Sequence, residues 1–448
     1  MRSFIASKFP GTRKRGLRIA LVTLVATGTI GGLVAAAEGA GFARSSAPRL
    51  LVWVDATRVA QVKAYEKSHP NVKVDVVTYD GNDGGSGTLQ SKFALFNRVG
   101  HGWPDVFFSG ENYDAASIAS PQYKDAQVLS DGLVATSVLK KFAAGTLADC
   151  TVNGKIVCLR NDIGQDVLWY NKKLMDQFGY AVPTTWAQWA AIGEQVAKQH
   201  PGYIIGSAGN AFDDEIYLQA SECPMSKLLN SYTVQISPTS PNCTRVANLL
   251  DPLIANGSVP VVSLFAPTFL KQYGSKVLMM TGPSWYGDFV FANPSGLAVP
   301  AGQIAAAAPL SWTAGKQPVT GDVGGGLWFV SSHSKQTKAA VAMATWLATS
   351  YKSQGIGPTY PAYTPDQAPW VTAQQKSGYF ANDLGPVFAK AGTEIWSGWS
   401  ALRYAPDSIW SSTVIPALTG GSTLASQLPA FGQGLKNVAQ VNGYTVKG

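Results

Sequence analysis

Histidine is scarce in this chain, and much of enzyme chemistry goes with it. Only four occur in 448 residues: His69, His101, His200 and His333. The first and third precede prolines and the other two sit in loop-like stretches, so neither a histidine-based triad nor a metal centre is expected. No HExxH, GxSxG or P-loop motif is present. Ser137-x-x-Lys140 and Ser332-x-x-Lys335 match SxxK, but without a KTG or SDN companion both read as chance. Charged residues make up only 14% of the chain. The formal +8 is largely N-terminal: residues 1–43 hold six of the 35 basic residues and one of the 27 acidic ones, leaving +3 elsewhere. No dense Lys/Arg run survives in that remainder, which argues against nucleic-acid binding. There is no internal repeat and no CxxC.

The length favours two large lobes, and 46% hydrophobic residues supply a substantial core. Low charge with abundant Gly, Trp and Tyr suits an extracytoplasmic binder of polar, uncharged ligands. "RKRGLR" at 13–18, an uncharged run from Ile19 to Ala37 and small residues to Ala43 read as an export signal, 1–43. Cleavage after Ala37, Ala40 or Ala43 fits. The run is also long enough to act as an uncleaved anchor, though Thr23, Thr27 and several glycines weaken that reading. No cysteine follows it for lipid attachment. Of the four cysteines, Cys150 and Cys158 bracket "TVNGKIV", a hairpin with a three-residue Asn153–Lys155 loop, and Cys223 and Cys243 form the natural second pair. Three connectivities are possible; Cys150–Cys158 with Cys223–Cys243 is favoured.

"RLLVWVDA" at 49–56 reads as a buried strand, "ATRVAQVKAYEKSHP" as a helix and "NVKVDVVTYD" as an alternating strand; "GNDGGSG" at 81–87 reads as a flexible loop. "PDVFFSGEN" at 104–112 is a further strand. Later come a helix at 184–200 capped by Thr184 or Thr185, a strand at 203–210, a strand and turn within 276–291, a strand within 324–334 followed by an apolar helix, and a Trp-rich tail that is helical in patches. This is an α/β pattern with mostly parallel sheets. Ligands bind beyond the carboxyl ends of such strands, where Asp55, Tyr79, Asp80, Glu111 and Asn112 fall.

Taken in order, "VWVDATRVAQVKAYEKSHPNVKVDV", "GWPDVFF", "NGKIVCLRNDIGQDVLWYNKKLMDQFGYAVPTTWAQW", "KVLMMTGPSWYGDF" and "GGGLWFVSSHSKQTKAAVAMATWL" resemble the extracellular solute-binding proteins of ABC sugar importers, the group that includes maltose-binding protein. The resemblance runs from about residue 50 to the C-terminus and implies a two-lobe, periplasmic-binding-protein-like α/β fold. Each lobe would be a mostly parallel sheet flanked by helices, joined by a multi-segment hinge: 49–162 and 306–352 in one lobe, 163–305 and 353–448 in the other. It further implies a monomer without cofactor or metal that takes a carbohydrate in the interlobe cleft and passes it to membrane permease subunits. Carried over by position, the ligand loops hold Asp55 and Thr57, then Glu111 and Asn112. Asp162, Gln165 and Asp166 fall at the crossing, Phe212, Asp213 and Asp214 on the second lobe, Trp285 and Tyr286 on a stacking loop, and Trp396 or Trp399 on a late helix.

The chemistry agrees with this placement. Carboxylates and amides satisfy sugar hydroxyls through charge-assisted bonds, while Trp and Tyr cover the C–H faces. Core packing competes with stacking for Trp285, Trp396 and Trp399, and Trp328 and Trp346 read as core. The rival reading is a secreted glycoside hydrolase using Asp162 and Asp166, or Asp213 and Asp214, which needs two carboxylates about 5–10 Å apart across the scissile bond. Adjacent residues on a strand face opposite ways, so the second pair suits it poorly. A cell-surface lectin is the third class. A glutamine between Asp162 and Asp166 suits a hydroxyl-binding edge better than an acid/base pair, and holding is expected rather than cutting.

Overall fold

A computed structural model describes residues 49–79, 85–121, 124–399 and 402–448. The expectations for segment 1–43 and for Asp80 lie outside the described residues. In chain order the strands are β1 (Arg49–Val54), β2 (Lys73–Thr78), β3 (Val106–Ser109), β4 (Thr151–Val152), β5 (Lys155–Ile156), β6 (Leu159–Arg160), β7 (Asp166–Asn171), β8 (Lys227–Asn230), β9 (Thr233–Gln235), β10 (Met279–Pro283), β11 (Ile304–Ala307), β12 (Leu327–Val330) and β13 (Thr445–Lys447).

The first sheet has the order β2-β1-β3-β12-β6. In β1 the inward positions Leu50, Val52 and Val54 are fully buried, each contributing about 1.5–3 kcal/mol of burial. β2, β1 and β3 are parallel, while β12 runs antiparallel to β3 and β6. The second sheet, β10-β7-β11, is antiparallel on both sides of β7, and parallel bridges at Ile204–Val277 and Ile304–Phe380 extend it. The sheets are thus more mixed than the α/β pattern suggested, because β7 crosses from the first sheet and enters the second against the direction of its neighbours. The 203–210 strand shrinks to the Ile204 bridge. A small third sheet, β13-β9-β8, was not anticipated; its short strands carry too little alternation to be read.

Local chemistry explains the element ends. Thr185 and Gln188 form a reciprocal capping box at the start of the helix Trp186–Gln199, which buries Trp186, Trp189, Gly193 and Val196 along one face. β4 and β5 pair Val152 with Lys155, so the hairpin loop has two residues, not three. Asn153 and Gly154 both have positive φ, +50° and +74°, as a type I′ turn requires. The helix Gly85–Val99 takes up part of the stretch read as a loop. Cys150 bonds Cys158, and Cys223 bonds Cys243.

Three segments cross between the two large sheets. β6 leads into β7; the stretch between β11 and β12 returns; and Tyr360–Ala362 runs beside the first, with the Ile163 N–H donating to the Tyr360 carbonyl (2.9 Å) and the Ala362 N–H to the Asn161 carbonyl (3.2 Å). The 305/306 boundary falls inside β11, where Ala306 and Ala307 still pair with Trp169 and Leu168. The 352/353 boundary falls inside the helix Tyr351–Gln354, which packs on the helices Val59–Ser68 and Thr337–Thr349 of the first sheet. Among the described residues, no helix is long and apolar enough to cross a membrane.

Candidate ligand-binding site

The end of β1 sets the first wall. Asp55 Oδ1 accepts from the N–H groups of Thr57 (2.8 Å) and Arg58 (3.0 Å) and from the Thr57 hydroxyl (2.6 Å), capping the turn that follows. That cap throws the Arg58 guanidinium over the ring of Phe108, 4.4 Å from its centroid, and within 3.5 Å of Asp162 and 3.9 Å of Asp55. Asp162 Oδ1 also accepts from the Asn161 side chain (2.7 Å) and the Gly326 N–H (3.1 Å). Gly325 and Gly326 are required there. A Cβ on Gly325 would overlap the Arg160 guanidinium, one on Gly326 the Phe108 ring, and Gly325 has a φ of +79°.

These residues face a cavity of about 380 Å³. From the first sheet come Asp55, Thr57, Arg58, Phe108 and Glu111; from the crossings, Asp162, Gly324–Gly326 and Thr359. The second sheet and its loops add Phe212, Phe265, Trp285, Phe289 and Asn293, and the helix Pro406–Thr419 adds Asp407. The walls differ in kind. One is polar and carries most of the carboxylates; the other is a cluster of rings centred on Trp285. Trp285 lies near-parallel to Phe265 at 6.2 Å and edge-on to Phe212 and Phe289, both at 5.9 Å. Its indole N–H donates to the Val323 carbonyl on a crossing segment (2.9 Å). Phe265 is 42% exposed, so the ring cluster is open to solvent. Such walls complement a molecule with hydrogen-bonding groups around its rim and apolar faces.

Of the residues expected at the site, Asp55, Thr57, Glu111, Asp162, Phe212 and Trp285 meet at this cavity. The others are used differently. Asn112 donates to the Asp322 carbonyl (2.7 Å) and Gln165 to the Phe388 carbonyl (3.0 Å), each tying a crossing segment to a neighbouring element. Asp213 accepts from the Asn210 backbone N–H (2.6 Å) and side chain (2.9 Å), closing a turn. Tyr286 is wholly buried, edge-on to Trp285 at 4.9 Å. Trp399 is 4% exposed and donates to the Cys223 carbonyl (3.3 Å), while Trp396 lies next to the Thr320–Ile395 bridge; among the described residues neither lines the cavity. Asp166 is buried, and neither carboxylate oxygen has a hydrogen-bond partner among the described residues. Burial, then Asp322 and Asp213, push its pKa well up. It opens onto a separate small void beside Trp186 and Thr320 rather than onto the cavity of Asp162. The pair cast for glycoside hydrolysis therefore does not face one substrate.

Arg58, Phe108, Phe265, Phe289, Asn293, Thr359, Asp407 and the three glycines line the cavity without having been expected there. Two carried a usable signal: Arg58 is three residues from Asp55, and Phe289 is four from Trp285, one helical turn away. Behind the lining, Asp214 and Glu215 are fully buried. Neither forms an ion pair among the described residues. Burial, helped by Asp407, pushes both pKa values well above the carboxylate range; Asp214 adds to the rise at Glu215, whereas the backbone hydrogen bond from Glu215 works against the rise at Asp214. A folded-state pKa raised in this way means that stability is fully present below the unfolded value and is lost as pH rises toward the folded one. Asp214→Asn is therefore expected to stabilise the protein by about 1–2 kcal/mol at neutral pH. The gain should shrink as pH falls; thermal melts across a pH series check it. No group of three or more His, Cys, Asp or Glu side chains among the described residues is placed to hold a metal ion.

Several solved structures share this fold. The ABC transporter associated binding protein from B. animalis subsp. lactis Bl-04, in complex with β-1,6-galactobiose, aligns with TM-score 0.74 at 18% identity, over 89% of this chain and 99% of that one. The galacto-N-biose-/lacto-N-biose I-binding protein of the ABC transporter from Bifidobacterium longum, in complex with lacto-N-biose, gives 0.73 at 18% identity, over 90% and 99%. The GacH receptor of Streptomyces glaucescens, with structures that include an acarbose complex, gives 0.66 at 19% identity, over 89% and 100%. At these identities the likeness is one of fold, the two-lobe arrangement of solute-binding proteins. No curated protein sequence is a significant match. Residues 53–350, more than half of the chain, match the family profile, and the chain belongs to the bacterial extracellular solute-binding proteins.

Proposed function

We propose that this protein is the exported substrate-binding component of an ABC importer, a non-catalytic monomer that captures a sugar or oligosaccharide and hands it to a membrane permease. The observation that carries the reading is the contrast between the two walls of the cavity. Glu111, Asp55, Thr57 and Asp162 supply hydrogen-bonding groups on one side, and Phe212 and Trp285 supply ring faces on the other. A pyranose has that same division, hydroxyls around its edge and C–H groups on its faces. Three crossing segments between the sheets suit a hinge whose closure brings the walls together on the ligand. The solved neighbours named above carry β-1,6-galactobiose, lacto-N-biose and acarbose, which places di- and oligosaccharides first among compounds to try.

Isothermal calorimetry and thermal shift against mono- and oligosaccharides test the proposal. The expected result is one site per chain, a raised melting temperature and the sugar recovered intact. If the purified protein instead shortens an oligosaccharide, and Asp162→Asn stops it, the transport reading is lost. A lectin would bind immobilised glycans yet show no compaction by small-angle scattering when free sugar is added.

A further inference from the structure

A second cavity, of about 370 Å³, nearly matches the first in volume. Gln90 and Ser91, on the helix Gly85–Val99, line it together with Ser117 on the helix Asp114–Ile118. Facing them are Arg403, Ser408 and Asn442, from the helices Pro406–Thr419 and Leu424–Val441 and their flanks. The two cavities share both walls. On one wall Asp407 lines the first cavity and the next residue, Ser408, lines the second, with the Ser408 N–H donating to the Asp407 carboxylate (2.8 Å). On the other, Glu111 lines the first, and the short helix that follows it carries Ser117 and Ile118 to the second, about 5 Å beyond its own start. Asp114 accepts from the Ser109 hydroxyl at the end of β3 (2.6 Å) and from the Gln90 side chain (2.9 Å), so one carboxylate fixes the rims of both. The chemistry of the second cavity is that of neutral hydrogen bonding. Arg403 donates to the Ser231 and Asn442 carbonyls (2.7 and 3.3 Å), and Asp125 is held by the Asn97 amide (2.6 Å) and the His333 ring (2.9 Å). The other polar lining groups are amides and hydroxyls, which donate and accept as sugar hydroxyls do. Its rings, Phe93 and Tyr404, are buried, so this cavity offers edges to bond rather than a face to stack on.

Resting on the sugar-binding reading, we infer that the preferred ligand is a linear oligosaccharide of more than two units that occupies both cavities. One end stacks on the Trp285 ring cluster. The chain then passes between Asp407 and the helix Asp114–Ile118, and its remaining units bond Ser117, Ser408 and Asn442 in the second cavity. A disaccharide would fill only the first cavity and forgo the hydrogen bonds of the second.

Length series test this on the full-length protein by calorimetry: dimer to pentamer of the malto-, cello- and β-1,4-galacto-oligosaccharides. In a series whose dimer binds, the tetramer is expected to bind about tenfold or more tighter, with one molecule per chain. Ser91→Trp and Ser408→Trp fill the second cavity from opposite walls, at positions that are exposed. Each should abolish the advantage of the tetramer while leaving dimer affinity within about twofold. Melting curves check folding, and either variant serves where the other fails to fold. Equal affinities for dimer and tetramer overturn the inference, as do two sugars bound per chain, an advantage that survives in both variants, or an equal loss at both lengths. All of these leave dimer binding, and with it the sugar reading, in place. If no saccharide of any length binds, the sugar reading itself fails and this inference with it, so the two failures are told apart.

Discussion

Replacing Trp285 by alanine is expected to weaken saccharide binding by about 2–4 kcal/mol, roughly 30- to 1000-fold in Kd. Trp285 sits at the centre of the ring cluster and contacts Phe212, Phe265 and Phe289. It is also tied by its indole N–H to Val323, so its plane is fixed before a ligand arrives and little side-chain entropy remains to be lost on binding. Truncation would remove the stacking face and a hydrogen bond that links this wall to a crossing segment. Trp285→Phe keeps a ring but loses the bond to Val323, and its affinity should fall between wild type and alanine. Trp399→Ala provides the contrast. That ring is buried against the Cys223 carbonyl, so melting temperature should drop while affinity per folded molecule holds. Calorimetry on all three, with melts as the folding control, separates the roles. A loss below about threefold for Trp285→Ala would show that another ring carries the stacking.

The same contrast shows what was legible in the sequence. Asp55 and Glu111 could be placed because each follows an apolar strand, and parallel strands deliver their ends to one edge of a sheet. Trp285 could be placed because it follows just beyond the end of an apolar strand, which closes at Pro283. Four predicted ligand residues, Gln165, Asp166, Asp213 and Tyr286, lie in or beside turns where the chain changes direction, and there period-two and period-3.6 patterns do not say which way a side chain points. All four turned inward: Gln165 anchors a crossing segment, Asp166 faces a small void, Asp213 closes a turn and Tyr286 fills the core. Asp162 and Asp166 are only four residues apart, yet the entry into β7 between them sends one to the cavity and the other to a separate void. Phe265 and Asp407 are distant in sequence from every other lining residue of their wall, and only the tertiary fold brings them there.

Arg160 is where fold and site meet, and its removal should produce the largest loss of stability. The side chain is fully buried on β6. Its Nε donates to the Asp162 carbonyl (2.8 Å), one terminal nitrogen to Asp149, and the other to Asp322 (2.6 Å) and the Gly324 carbonyl (3.1 Å). One planar fork thus joins the hairpin region to two of the three crossing segments, which a lysine, with a single point of charge, cannot reproduce. Burial by itself would lower its pKa, but Asp322, Asp149 and Asp162 outweigh that and raise it, so the charge persists. Without the guanidinium, Asp149 and Asp322 would lose the buried cation they share, and burial already raises the Asp322 pKa. Arg160→Met is therefore expected to cost about 3–5 kcal/mol, roughly 4–6 °C in Tm. Arg160→Lys should recover only part of this. The sign of the pH dependence follows: both carboxyls would acquire raised folded-state pKa values, so the deficit is greatest at neutral pH and narrows as pH falls and they take up protons. Adding Asp149→Asn and Asp322→Asn to Arg160→Met removes the stranded charges and should return a large share of the stability at neutral pH. Sugar affinity should return less completely, because Gly324–Gly326 and the Asp162 backbone would still lack the group that holds them at the cavity wall. Denaturant titrations paired with calorimetry measure both quantities, and a stability loss under about 1 kcal/mol for Arg160→Met would show that the crossing segments hold their register without it.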